Sequence, residues 1–137
     1  MLVVEDEAII RMSVVASLED AGFAVLEAQN SAEALERLAQ HAEIDILLTD
    51  IRMPGRMNGL ALVTQVHRDY PAIPAIVMSG NSTAEDARQA GASDFISKPY
   101  MSRAIVQVVC DAAWRLAAVA PPRLNPLDNP ANALPGL

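Results

Sequence analysis

Residues 46–55 read ILLTDIRMPG. An apolar run, Ile46-Leu47-Leu48, passes through Thr49 to a carboxylate, Asp50, and then to a turn built on Met53-Pro54-Gly55. A short apolar run bounded by turn residues reads as a buried strand. Burying a lone charge beside such a run is costly, so Asp50 belongs at the mouth of a sheet rather than inside it.

The same grammar repeats outward from this stretch. Upstream, Leu2-Val3-Val4 is an apolar run ending in Glu5-Asp6-Glu7. Ile10, Val14 and Leu18 then recur at helical spacing across residues 8–21, with Gly22 as the stop. Residues 23–28 read as a strand. Asn30 with Glu33 resembles a capping box that opens a helix through Leu38. The central strand is read over residues 44–49. Downstream, residues 59–70 are helical up to Pro71, and residues 75–78 form a strand. Ser82 with Glu85 can cap a short helix ending near Gly91. Phe95-Ile96 is a short strand, and residues 101–119 form the last helix. Strand and helix thus alternate five times. This order implies an α/β fold, a doubly wound five-stranded parallel sheet with helices on both faces.

The chain has 137 residues and 52% hydrophobic content, enough for one domain with an aliphatic core. We expect that domain to span residues 1–119. Residues 120–137 lack apolar periodicity and hold five prolines, so a proline-rich, disordered tail or linker is expected there. The net charge of -7 argues against a nucleic-acid partner. No apolar run reaches the length of a membrane span, and no secretory signal is read. One cysteine, Cys110, fits a reducing cytoplasm. Nine of the ten basic residues are arginine, which leaves Lys98 as the only lysine.

In parallel sheets the chemistry gathers at the carboxyl ends of the strands. Glu5 and Asp6 follow the first strand, Asp50 the third, Ser79 the fourth and Lys98 the fifth. Three carboxylates brought together repel by on the order of 4 kcal/mol per pair at 4 Å and moderate dielectric. A hard divalent cation, Mg²⁺ or Mn²⁺, would offset that repulsion, and Lys98 adds positive charge. With the Ser79 hydroxyl, these groups make a cradle for a phosphoryl group, and Asp50 is the candidate nucleophile. Taken singly, a strand-end Asp is more often a turn residue, and a Ser after a strand is usually structural. Those readings do not predict four strand ends carrying this set in this order.

The stretches LVVEDE, ILLTDIRMPG, AIVMSG and GASDFISKP, in this order, resemble a response-regulator receiver domain, the phosphoacceptor of two-component signalling, over residues 1 to about 119. The resemblance implies a CheY-like, flavodoxin-like fold and an Mg²⁺-dependent switch phosphorylated on Asp50. The implied donor is a sensor histidine kinase or histidine phosphotransfer protein. Glu5 and Asp6 become the acidic pair, with Asp6 a direct metal ligand. The Arg52 backbone carbonyl becomes a further ligand, beside Asp50. Ser79 and Phe95 become the switch residues, Lys98 the phosphate-contacting lysine, and Lys98-Pro99 a cis peptide. Such a domain assists its own phosphorylation and dephosphorylation and is not an enzyme in the usual sense. The chain departs from the family pattern in four places. The loop after Asp50 is longer by one residue. The stretch from Ser79 to Lys98 is shorter by roughly three, about one turn of the fourth helix. Position 95 is Phe rather than Tyr, and Gly80 leaves the site open to small donors and fast hydrolysis.

The leading reading is a stand-alone receiver. The alternative is a receiver module cut from a larger regulator or hybrid histidine kinase. A remote alternative, an Mg²⁺-dependent aspartyl-nucleophile phosphatase, needs a second acid two residues after the nucleophile, where this chain has Arg52. A flavodoxin-type cofactor binder needs a Ser/Thr/Gly-rich phosphate loop where this chain has Glu5-Asp6-Glu7. On the last helix, Ile105, Val109, Ala112 and Leu116 share one face, while Arg103, Gln107, Asp111, Trp114 and Arg115 share another. Trp114, on the polar side, is a candidate interface residue for a homodimer or a kinase contact.

Overall fold

The computed structural model describes residues 1–53, 55, 57–80 and 84–119. The tail expected at 120–137 and the cap expected at Ser82 lie outside these, as do Pro54 and Arg56 in the loop after Asp50.

Ten elements alternate along the chain: β1 (Leu2–Val4), α1 (Ala8–Asp20), β2 (Leu26–Ala28), α2 (Ser31–Gln40), β3 (Leu47–Asp50), α3 (Gly59–Asp69), β4 (Ala75–Ser79), α4 (Ala84–Ala90), β5 (Asp94–Ser97) and α5 (Ser102–Val119). The strands form one sheet in the order β2-β1-β3-β4-β5, and every pairing is parallel. The chain steps from β1 outward to β2, then returns to β3 on the other side of β1. The switch point therefore lies between β1 and β3, where ligands of open α/β sheets bind.

Alternation along the strands divides the core in two, because successive side chains point to opposite faces. Leu2, Val4, Leu47 and Val77 face α2, α3 and α4, where they meet Ala34, Leu38, Leu62, Val66 and Ala87. Val3, Leu48, Ile76, Met78 and Ile96 face α1 and α5, where they meet Val14, Leu18, Ile105, Val109 and Ala112. Both faces are covered, which is why the central strands β1, β3 and β4 are mostly apolar instead of alternating with polar residues.

The strand ends differ from expectation. β2 starts at Leu26, not at residue 23, because β1 offers only three residues to pair with. Before Leu26 the chain is held otherwise: the Phe23 N–H donates to the Leu18 carbonyl at 3.1 Å, and the Met1 amine donates to the Ala24 carbonyl at 2.8 Å. β3 starts at Leu47, since the Ile44 N–H turns back to the His41 carbonyl at 3.2 Å. It also runs one residue further than expected. Asp50 is its last rung, opposite Met78, and its side chain is buried. The Asn30 cap is present, its side chain accepting the Glu33 N–H at 2.8 Å. α4 has seven residues, the shortest of the five helices as described.

Candidate functional site

Four strands deliver the polar groups to one rim. Glu5 follows β1 directly. Its N–H donates to the Ala28 carbonyl at 3.0 Å, so the ladder with β2 carries over into the turn. Asp50 closes β3 and Ser79 closes β4, both buried. Lys98 follows β5, and its N–H donates to the Ser79 carbonyl at 2.9 Å. The Lys98-Pro99 peptide is cis, as the resemblance implied.

The side chains converge. Lys98 Nζ donates to Asp50 Oδ2 at 2.6 Å. Glu5, Asp6 and Asp50 bring carboxylate oxygens within 4.8 Å of one another. Glu5 is fully buried, and its Oε1 accepts the Glu7 N–H at 3.2 Å. Its Oε2 is buried with no hydrogen-bond partner. Two facing carboxylates have no donor between them until one takes up a proton. Burial, the Asp50 hydrogen bond and the Asp50 charge accordingly push the Glu5 carboxyl up to about 8, against partial relief from the Glu7 N–H and Lys98. At Lys98, burial opposes the charge, but the hydrogen bond and charge of Asp50 outweigh it, and the ammonium is held more firmly than usual.

An orphaned buried carboxylate oxygen is a defect in a protein that binds nothing there. Here it sits among oxygen donors only, two buried and one exposed. That donor set fits a hard divalent cation such as Mg²⁺, which takes carboxylates and keeps several waters. Arg52, whose carbonyl the resemblance implies as a further ligand, donates its own N–H to Asp50 Oδ1 at 3.3 Å, so its backbone lies beside the cluster. Phe95 sits on β5 opposite Val77, half-buried against the side of the sheet that carries α4. Trp114 stands apart from this rim, 79% exposed on α5, while Ile105, Val109 and Ala112 of the same helix are buried.

Two supporting residues carried no legible signal. Gly59 opens α3 directly on the Asp50 backbone, and a Cβ there would fall 2.0 Å from the Asp50 carbonyl oxygen. Only the absence of a side chain lets α3 seat so close behind Asp50. Arg11, on α1, donates from Nη1 to the Glu5 carbonyl at 2.7 Å and from Nε to Glu27 at 3.2 Å. In sequence, Gly59 marks only the start of the helix read over residues 59–70, and no spacing singles out Arg11.

Beside Lys98 a groove of about 660 Å³ runs between α1 and the start of α5, with Ile10, Val14, Pro99, Tyr100 and Ile105 among its walls. The four large apolar side chains exposed among the described residues all lie on or next to these two elements: Ile9 and Met12 on α1, Met101 just before α5 and Trp114 on α5. No described helix is long and apolar enough to cross a membrane.

The family model for the response regulator receiver domain matches residues 1–110. The DNA-binding transcriptional regulator NtrC of Escherichia coli is 37% identical over 137 aligned residues, covering 98% of this chain and 29% of that protein. An NtrX-like response regulator of Rickettsia bellii is 37% identical over 110 residues, with 77% of this chain and 23% of the relative covered. Among solved structures, a CheY-like receiver domain protein from Methanospirillum hungatei superposes with a TM-score of 0.80 at 25% identity, covering 87% of this chain and 96% of that one. The receiver domain of NtrX from Brucella abortus gives 0.74 at 32% identity, covering 87% and 98%. The chain spans less than a third of the curated relatives it matches.

Proposed function

The chain belongs to the response-regulator receiver family, and from that premise we propose that it is a phosphorylation switch whose acceptor is Asp50. The observation that carries the reading is the Lys98–Asp50 contact at 2.6 Å beside the buried, unpartnered Oε2 of Glu5. A carboxylate oxygen of Asp50 attacks the phosphorus of a phosphohistidine donor. The bond from phosphorus to the imidazole nitrogen breaks, and the imidazole leaves with the electron pair. Glu5, Asp6 and Asp50, with the Arg52 carbonyl as a further ligand, would hold Mg²⁺, which would supply positive charge to offset repulsion between the acids and the incoming phosphoryl group. Lys98 holds the acceptor oxygen in place and then neutralises phosphoryl charge. Ser79 donates its hydroxyl to the transferred group, and Phe95 follows that movement inward, biasing an equilibrium that exists beforehand. The domain assists its own modification and has no separate substrate to turn over.

The donor is a histidine kinase or phosphotransfer protein. Support comes from the groove between α1 and α5, which opens beside Lys98 and has exposed apolar side chains around it. A receiver module within a larger regulator is favoured over a stand-alone one, because the NtrC and NtrX-like relatives extend well beyond the matched stretch. With a net charge of -7, the chain is a poor match for nucleic acid, so DNA contact in such a regulator would fall to its other parts. Incubation with acetyl phosphate, read by intact mass, tests the reading. One phosphoryl group should be gained with Mg²⁺ and none in EDTA, and equal gain in both would overturn it.

A further inference from the structure

The geometry points to Arg11 as a positioning residue for the cation site: its guanidinium fixes the turn that carries Glu5 and Asp6, and is itself fixed by Glu27 of β2. This inference rests on the metal reading above. Within the turn the Glu7 N–H donates to Glu5 Oε1 at 3.2 Å, and backbone bonds tie its two ends. Its entry is tied by the Glu5 N–H to the Ala28 carbonyl at 3.0 Å, and its exit by the Arg11 N–H to the Glu7 carbonyl at 2.9 Å. Between them, the Glu5 carbonyl is held by a side chain, Arg11 Nη1, at 2.7 Å. The other arm of the fork, Nε, meets Glu27 Oε1 at 3.2 Å. Glu27 stands opposite Val3 in the sheet, so the ladder holds the backbone of the anchor. The Arg11 side chain is 18% exposed, well enclosed for an arginine on an outer helix. A planar guanidinium serves two acceptors at fixed angles, and an ammonium does not reproduce that geometry.

The sign of the effect separates positioning from electrostatics. Arg11 is a cation near a cation site, so by charge alone its loss should tighten metal binding. Positioning demands the opposite, because carboxylates on a loosened turn must be ordered when the ion binds.

The experiment measures Mn²⁺ binding to the unphosphorylated full chain by the loss of free-ion paramagnetic resonance signal, and melting without metal, for wild type, Arg11→Met, Arg11→Lys, Glu27→Gln and the Arg11→Met/Glu27→Gln pair. We expect Arg11→Met and Arg11→Lys to bind about tenfold more weakly than wild type, and Glu27→Gln to bind more weakly too. Glu27→Gln should add nothing once Arg11 is gone, since it acts through Arg11. Arg11→Lys retains the charge and the methylenes, and keeps the test readable if Arg11→Met does not fold. Wild-type affinity in Arg11→Lys, or tighter binding in Arg11→Met, overturns the positioning role while leaving the metal site intact. A wild type that takes up no Mn²⁺ overturns the metal reading itself and this inference with it.

Discussion

Replacing Glu5 by Gln should make the metal-free protein more stable at alkaline pH, against the usual expectation for a buried polar residue. In the folded chain the Glu5 carboxyl holds its proton up to about 8, while in the unfolded chain it releases it near 4.5. Between those values the folded state binds the extra proton, so stability falls as pH rises. The contribution is complete below the unfolded value and lost through the folded one. At about 1.4 kcal/mol per unit, raising the pH by two units inside this window removes roughly 3 kcal/mol. For a domain of this size that is a fall of about 10 °C in melting temperature. The assay is thermal unfolding in EDTA across the window, for wild type and Glu5→Gln. Wild type should lose stability steadily, and the variant should show a much flatter profile. Saturating Mg²⁺ should restore the wild type at the alkaline end and do little for the variant, because the ion takes the place of the proton. The difference between the two proteins is the quantity that counts. Parallel profiles, with the same slope in both, would refute the reasoning that Glu5 is held protonated against Asp50.

Gly59→Ala should destabilise the protein by several kcal/mol or displace α3, because its methyl would fall 2.0 Å from a backbone oxygen; urea unfolding measures this. Gly80→Ala should be tolerated, since its methyl would lie 3.6 Å from Lys98 Cβ, an ordinary contact; by narrowing the site it should slow loss of the phosphoryl group, followed by intact mass over time. Lys98→Met should slow phosphorylation by acetyl phosphate by at least tenfold through loss of the 2.6 Å contact with Asp50, with melting little lowered. Trp114→Ala should change stability by no more than about 0.5 kcal/mol, given 79% exposure; if the residue serves an interface, light scattering or kinase phosphotransfer should detect weaker association.

The fold was legible because apolar strands alternate with segments whose apolar residues recur at helical spacing, and the two core layers fall on alternate residues of β1, β3 and β4. Strand ends were less legible. Phe23 and Val25 pack on the core from outside the ladder, and apolar character alone cannot tell packing from pairing. The convergence of Glu5, Asp6, Asp50 and Lys98 followed from their places at strand ends, because a parallel sheet brings those ends to one rim. What could not be read was support at a distance. Arg11 and Glu27 are sixteen residues apart and meet only because β2 lies beside β1. The approach of Gly59 to Asp50 depends on the angle at which α3 enters, which no local pattern encodes.

Reductive trapping tests the central claim most directly. Borohydride reduces an aspartyl phosphate to homoserine, and peptide mass mapping then locates the altered residue. After incubation with acetyl phosphate and Mg²⁺, homoserine should appear at position 50 alone, and it should be absent when EDTA replaces the metal. Homoserine formed from another aspartate, or formed at Asp50 equally well without a divalent cation, would contradict the assignment.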